Sequence, residues 1–318
     1  MKHFTSVRDV ENVKALVRLA LDYKSNPRKD KELGAGTRIG LLFLNPSMRT
    51  RLSTQIAASN LGMDSIVFNV GQDGWNLEFE DNAIMNGTTV EHIKDAAPIL
   101  GNYFDMLGIR TFPALKNKEE DYSERILQQF IRYAGVPIVN LESATLHPLQ
   151  SLTDIVTISE TFSEKRKPKI VLAWAPHVKA LPQCVPNSFA QWINTWGEAD
   201  FVIAHPKGYE LDNQFVKGAT IVNDLQQGVE GADIVYVKNW SAVSDYGKIL
   251  GSYPEWMLTS KSLKMTNHAK IMHCLPVRRN VELDADVLDG PQSVVTVQAS
   301  NRIWAAQAVL SELLRKKK

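Results

Sequence analysis

Eight residues near the start of the chain hold more hydrogen-bond donors than packing needs. Ser47-Met48-Arg49-Thr50-Arg51-Leu52-Ser53-Thr54 follows directly on the apolar run from Ile39 to Leu44, where a buried strand hands over to a helix. A helix opening near Met48 or Arg49 turns backbone N–H groups and the positive end of its dipole outward. Ser47, Thr50 and the guanidinium groups of Arg49 and Arg51 add donors to that end, a combination that suits a dianionic phosphate. In isolation, a serine N-cap with one arginine in a surface ion pair fits the same residues. The Gly-x-x-x-x-Gly-Lys-Ser/Thr spacing of a P-loop is missing, so nucleotide hydrolysis loses support.

Arg110 falls just past another apolar run, and His147 and Gln150 lie one helical turn apart. A guanidinium, a neutral imidazole and an amide together can grip a carbonyl oxygen and an NH2 group, and can stabilise negative charge that builds on that oxygen. A helix-capping or core histidine is the plainer account of His147 alone. The run His273-Cys274-Leu275-Pro276-Val277-Arg278-Arg279-Asn280 is hard to explain by packing. Cys274 invites a nucleophile reading, but no histidine and carboxylate are evidently assigned to activate it. A small side chain, or its backbone carbonyl, lining a pocket is the blander account.

These residues need elements to hold them. Short apolar runs recur at 39–44, 65–70, 104–109, 136–141, 169–174, 201–205, 219–223, 233–237 and 270–274. Helical spacing fills the intervals, as in Thr50 to Leu61 before Gly62, Glu91 to Leu100 before Gly101, and Tyr122 to Tyr133 before Gly135. This alternation predicts an α/β chain of two doubly wound parallel-sheet domains. The boundary is expected near 145–150, where residues 147–162 read as a connecting helix opened by Pro148. The first domain then takes 1–147, the second 148–296, and a last helix, 297–318 with its regular part from Gln298 to Leu314, returns to the first. Its Ile303, Ala306, Leu310, Leu313 and Leu314 need a surface to cover. Ligands of such sheets sit beyond the carboxyl ends of the strands, where the polar clusters fall, so a site between the two domains is expected.

Composition narrows the function. The 318 residues carry 36 basic and 35 acidic side chains, a net charge of +1, so no bulk field attracts nucleic acid or an anionic membrane. No apolar run is long enough to cross a bilayer and the first residues lack a secretory signal, which makes the cytoplasm the expected compartment. The two cysteines, Cys184 and Cys274, offer no disulfide framework and no zinc site. The terminal Arg315-Lys316-Lys317-Lys318 complements a helix dipole.

Four of these segments, in order and separation, resemble the aspartate/ornithine transcarbamylase superfamily: SMRTR after the first strand, GIR after the third, HPLQSLTD at the domain junction and HCLP near the end. The resemblance implies a carbamoyl-phosphate domain, an amino-acid domain and a homotrimer with shared sites, and no metal or redox cofactor. It assigns Ser47, Met48, Arg49 and Thr50 to the phosphate of carbamoyl phosphate, with Arg51 behind them. Arg110, His147 and Gln150 go to the carbamoyl end, Cys274 and Leu275 supply backbone oxygens, and Arg302 is a further donor. A non-catalytic regulatory protein that kept the fold is the rival of another class, and the intact clusters argue against it.

The ornithine loop Asp-x-x-x-Ser-Met-Gly is absent; Val237-Lys238-Asn239-Trp240 stands at the corresponding strand end. The GWNLE segment with Trp75, together with the KNW and HCLPVRRN segments, resembles the N-acylornithine branch. An acylated ornithine has lost its α-ammonium charge and presents a carboxylate, which Lys238 with Arg278 and Arg279 can pair. Glu142 is expected to accept from the ornithine amide N–H, and His177 to orient the chain. The acetyl enzymes of the branch resemble one another in a glutamate where this chain has Val90. A glutamate about 4 Å from a succinyl carboxylate repels it by roughly 4 kcal/mol at an effective dielectric near 20, about a thousandfold in affinity. Val90 removes that obstacle, and Lys179 or Lys238 supplies a cation. The expected reaction is carbamoyl transfer from carbamoyl phosphate to the δ-amine of N-succinylornithine, with N-acetylornithine as the rival acceptor.

Overall fold

A computed structural model describes residues 1–317; Lys318, the end of the expected 297–318 helix and of its basic run, lies outside the described residues. Contacts divide the chain into two compact units. One is formed by Met1–Ala114, Glu119–Leu149 and Arg302–Lys318, the other by Leu115–Lys118 and Gln150–Asn301.

The first unit is built on four parallel strands in the order β2-β1-β5-β6: β1 Arg38–Phe43, β2 Asp64–Asn69, β5 Met106–Arg110 and β6 Ile138–Glu142. Strands β1, β5 and β6 are buried along almost their whole length, which explains why they read as unbroken apolar runs instead of alternating ones. Register carries function here. Phe43 pairs with Arg110, and Arg110 pairs with Glu142 past a shift after Ile109, so one row at the carboxyl ends gathers two charged side chains.

The helix Met48–Asn60 opens from Ser47, whose hydroxyl accepts from the Thr50 N–H. Its inner face is Thr50, Ser53, Thr54, Ala57 and Ala58, small enough for close packing, while Met48, Leu52 and Ile56 form an exposed stripe. The helix stops at Gly62, whose φ of +79° only glycine adopts easily; an added Cβ would lie 2.1 Å from the Lys31 carbonyl oxygen. The final helix, Val295–Lys317, starts earlier than the expected Gln298. Within the first unit its Gln307 accepts from Asn60 at 2.9 Å and donates to the Pro27 carbonyl at 2.7 Å. Ala306, Leu310, Leu313 and Leu314 are buried there, and Ile303 is half-buried.

The second unit carries five parallel strands in the order β11-β10-β7-β8-β9: β7 Lys169–Trp174, β8 Asp200–Ala204, β9 Thr220–Val222, β10 Ile234–Lys238 and β11 Lys270–Met272. The helix Cys184–Trp196 covers it, with Phe189 edge-on to Tyr236 at 4.8 Å between ring centroids. Cys184, unexplained by sequence, is a fully buried packing residue of that helix. The helix expected at the junction spans Pro148–Thr161, with proline in its first position.

Three details differ from expectation. Two short strands, β3 Leu77–Glu78 and β4 Glu91–His92, pair in parallel and close off the 71–92 segment. The expected helix from Tyr122 divides into Lys118–Tyr122 and Arg125–Tyr133 at Glu124, φ 52°, whose carboxylate turns aside to accept from the Thr145 N–H and the Ser143 hydroxyl. Strand β11 ends at Met272 because the His273 N–H donates to the Gln298 side chain instead of a neighbouring strand.

Candidate active site

Within the first unit, four chain segments far apart in sequence meet behind the cap at Ser47. Thr50, in the first turn of its helix, is 2% exposed, and its hydroxyl accepts from Nη2 of Arg302 at 2.6 Å. Arg110, at the end of β5, donates from Nε to the Asn45 carbonyl at 3.2 Å and pairs through Nη1 with Glu142. His147 Nε2 lies 3.5 Å from Glu142 Oε2. Burial, with Arg302 and Arg110 nearby, pushes the His147 imidazole down to about 3 against the opposing pull of Glu142. It is therefore neutral at physiological pH, with one nitrogen that donates and one that accepts. Ser47 and Arg49 are half-buried and Met48 is exposed, and a cleft of ≈ 330 Å³ beside the helix start is lined by Ser47, Met48, Arg51, Leu52, Pro46 and Asn69. Two buried guanidinium groups, a neutral imidazole and a helix N-terminus make a site suited to a phosphate joined to a polarisable carbonyl.

In the same unit, Trp75 and Val90 lie on the two arms of the segment closed by β3 and β4. The Trp75 indole donates to Glu91 at 2.8 Å, and the Val90 N–H donates to the Asn76 carbonyl at 3.0 Å. Both side chains are more than half exposed.

Within the second unit, Lys238 ends β10 and is buried, while the turn from His273 is organised around Glu282. The Leu275 N–H donates to His273 Nδ1 at 2.9 Å, so the ring's proton is on Nε2 and faces Glu282 Oε1 at 3.3 Å. Glu282 also accepts from the Arg278 N–H at 2.8 Å. Burial works to raise its carboxyl, but His273, the charge of Lys238 and the Arg278 N–H together pull it down to about 2. Leu275 holds a φ of +56° at this turn, turning the chain sharply beside Cys274. His177 is fixed from both sides: its Nε2 accepts from Arg278 Nε at 3.1 Å, and its Nδ1 rests against the Lys179 backbone, 3.0 Å from the N–H and 2.8 Å from the carbonyl oxygen. The Arg278 guanidinium, the Lys238 ammonium and the His177 imidazole are the parts of a carboxylate and amide receptor. Gln150 donates from Nε2 to Asp154 at 2.7 Å.

Two expectations need adjustment. Arg279, expected to pair a ligand carboxylate, makes a two-pronged exposed pair with Asp289 at 2.6 and 2.8 Å, the surface ion pair that a double arginine often forms. Lys179 is exposed, and it meets His177 through its backbone N–H and carbonyl. Cys274 is half-buried and near Tyr236. Sequence reading missed Asn45, Asp154 and Glu282. Only Asp154 carried a signal, its place four residues after Gln150. No group of three or more His, Cys, Asp or Glu that could hold a metal occurs among the described residues, and no helix among them is long and apolar enough to cross a membrane.

Comparison with known proteins points one way. Residues 2–160 match the model of the aspartate/ornithine carbamoyltransferase carbamoyl-P binding domain, and residues 184–313 that of the Asp/Orn binding domain. The chain is 45% identical over 316 residues to N-succinylornithine carbamoyltransferase of Bacteroides fragilis, covering 99% of each. It is 32% identical over 335 residues to N-acetylornithine carbamoyltransferase of Xanthomonas campestris, covering 99% of this chain and 98% of that one. Among solved structures it matches an N-acetyl-L-ornithine transcarbamylase mutant, with valine in place of a glutamate, complexed with carbamyl phosphate and N-succinyl-L-norvaline. The TM-score is 0.91 at 32% identity, covering 98% of this chain and 100% of that one.

Proposed function

Because the chain belongs to the aspartate/ornithine carbamoyltransferase family and is a carbamoyltransferase, we propose that it carbamoylates the δ-amine of N-succinyl-L-ornithine, giving N-succinyl-L-citrulline and phosphate in arginine biosynthesis. The neutral δ-amine attacks the carbonyl carbon of carbamoyl phosphate, forming the C–N bond. The C–O bond to phosphate then breaks, and phosphate takes the proton the amine sheds. Thr50, Arg110 and neutral His147 stabilise the oxyanion, and Arg302 holds the Thr50 hydroxyl. Phosphate departs against the helix cap at Ser47, Met48 and Arg49. Gln150 and the backbone oxygens of Cys274 and Leu275 take the carbamoyl NH2. Catalysis on this reading is positioning and electrostatics, with no covalent enzyme intermediate.

The acceptor takes a separate set of residues. Lys238 and Arg278 pair its α-carboxylate, His177 orients it, and Glu142 accepts from its amide N–H. Arg279 has the lesser role because Asp289 engages it. The observation that carries the succinyl choice is full-length identity of 45% to an N-succinylornithine enzyme, supported by the uncharged Val90. A transcarbamylase of the acetyl type with valine for a glutamate is complexed with N-succinyl-L-norvaline, the kind of exchange on which the Val90 reading turns. Lys179 or Lys238 then meets the succinyl carboxylate. The same reaction on N-acetylornithine is the second reading, favoured by the N-acetylornithine relatives.

The exposed stripe Met48, Leu52 and Ile56, with Ile66 of β2, supports assembly as a homotrimer, and the cytoplasm is the proposed compartment. Incubation with carbamoyl phosphate and N-succinylornithine tests the reaction. Ureido product and phosphate should appear in equal amounts; phosphate release without ureido product would overturn it.

A further inference from the structure

Asp154 sits within HPLQSLTD, yet the reaction as derived gives it no part. It is fully buried in the second unit, and two amides converge on one of its oxygens. Gln150 Nε2 donates to Oδ1 at 2.7 Å, and Gln298 Nε2 donates to the same Oδ1 at 2.7 Å. Gln298 then accepts, through Oε1, from the His273 N–H at 2.9 Å. The buried phenol of Tyr236 lies beside Asp154 and Cys274; burial first, and then those two neighbours, hold it protonated well above the usual range.

The logic of these contacts is directional. An oxygen that already receives two N–H groups cannot face an amide oxygen without repulsion, so neither glutamine can rotate its amide by half a turn. Gln150 is thereby left with its carbonyl oxygen as the end that can accept from an NH2 group. Gln298 is left with its carbonyl oxygen on His273, at the residue where β11 ends and the turn through Cys274 and Leu275 begins. We propose that Asp154 is a positioning residue for carbamoyl transfer: one buried carboxyl oxygen sets the polarity of the Gln150 amide and, through Gln298, the placement of the Cys274–Leu275 carbonyls. This rests on the assignment of Gln150, Cys274 and Leu275 to the carbamoyl NH2 given above.

The experiment is a double-mutant cycle on the full-length enzyme, read as kcat and KM for carbamoyl phosphate with the faster acylornithine as acceptor. Asp154→Ala should lower kcat/KM at least tenfold, and Asp154→Asn, whose amide oxygen can occupy the Oδ1 position, should recover most of that loss. In a Gln150→Ala background, Asp154→Ala should cost at least threefold less in kcat/KM than it does in the native chain, because one of the two groups it orients is gone. If Asp154→Ala is recovered unfolded, Asp154→Thr, whose hydroxyl accepts fewer donors, takes its place in the same cycle with the same expectation of non-additivity. Full activity of the Asp154 variant, or an equal loss with and without Gln150, overturns the proposal while leaving the Gln150 assignment standing. Wild-type kinetics in Gln150→Ala alone overturns that assignment and this proposal with it.

Discussion

Arg302 donates to the hydroxyl of Thr50 at 2.6 Å although 252 positions separate them in the chain. Both side chains are buried, so the bond fixes the first turn of the Met48–Asn60 helix against the final helix. Arg302→Ala should therefore lower kcat/KM for carbamoyl phosphate roughly 30- to 1000-fold, the range set by about 2 to 4 kcal/mol of lost charge-assisted stabilisation. Arg302→Lys should restore little of it, because an ammonium cannot keep the same fork geometry. Thr50→Val should lose about tenfold or more. Steady-state kinetics on the purified variants checks all three.

His147 should stay neutral across the working range. Its folded value of about 3 lies below the 6.5 of an exposed histidine, so the native state excludes a proton that the unfolded chain accepts. The stability it contributes is fully present above about pH 6.5 and is lost as pH falls toward 3. The His147 ring resonances should not titrate between pH 8 and 5 by NMR. The urea midpoint of His147→Gln should fall less steeply than that of the native chain between pH 6.5 and 4.

Glu282 gives a second acid-sensitive contribution in a lower window. Its carboxyl is held at about 2 against an ordinary 4.5, so its stabilisation is complete above 4.5 and disappears as pH falls toward 2. Glu282→Gln should destabilise the protein by about 2 kcal/mol at pH 7, the scale of a lost charged, buried hydrogen bond. It should also raise KM for the acylornithine more than KM for carbamoyl phosphate, since Lys238 and Arg278 are its neighbours. Denaturant titration and kinetics read the two effects separately.

Val90→Glu should shift acceptor preference. A carboxylate placed there repels the succinyl carboxylate and leaves an acetyl group untouched, so the ratio of kcat/KM for N-succinylornithine to that for N-acetylornithine should fall between about tenfold and a thousandfold. An unchanged ratio would remove residue 90 from the specificity account.

The strands and most helices were legible because parallel strands buried on both faces are unbroken apolar runs, and because Gly62 and Pro148 mark helix ends by backbone geometry. Phosphate-type donors at Ser47 to Thr50 were legible for a similar reason: a helix start is a local event. What escaped was set by distance. Arg302 is named only through the family resemblance, since nothing near Thr50 in the sequence announces the bond between them, and Glu282 looks like any polar residue until His273 and Arg278 close around it. The pair β3 and β4 is two residues per strand, too short for any period to register. Adjacent arginines read alike in sequence, while the fold sends Arg278 to His177 and Arg279 to Asp289.

The most direct test is a head-to-head assay in which the enzyme, saturated with carbamoyl phosphate, is offered equimolar N-succinylornithine, N-acetylornithine and ornithine, and each ureido product is quantified by mass spectrometry. N-succinylcitrulline should dominate by at least tenfold. A majority of N-acetylcitrulline or citrulline would contradict the succinyl assignment.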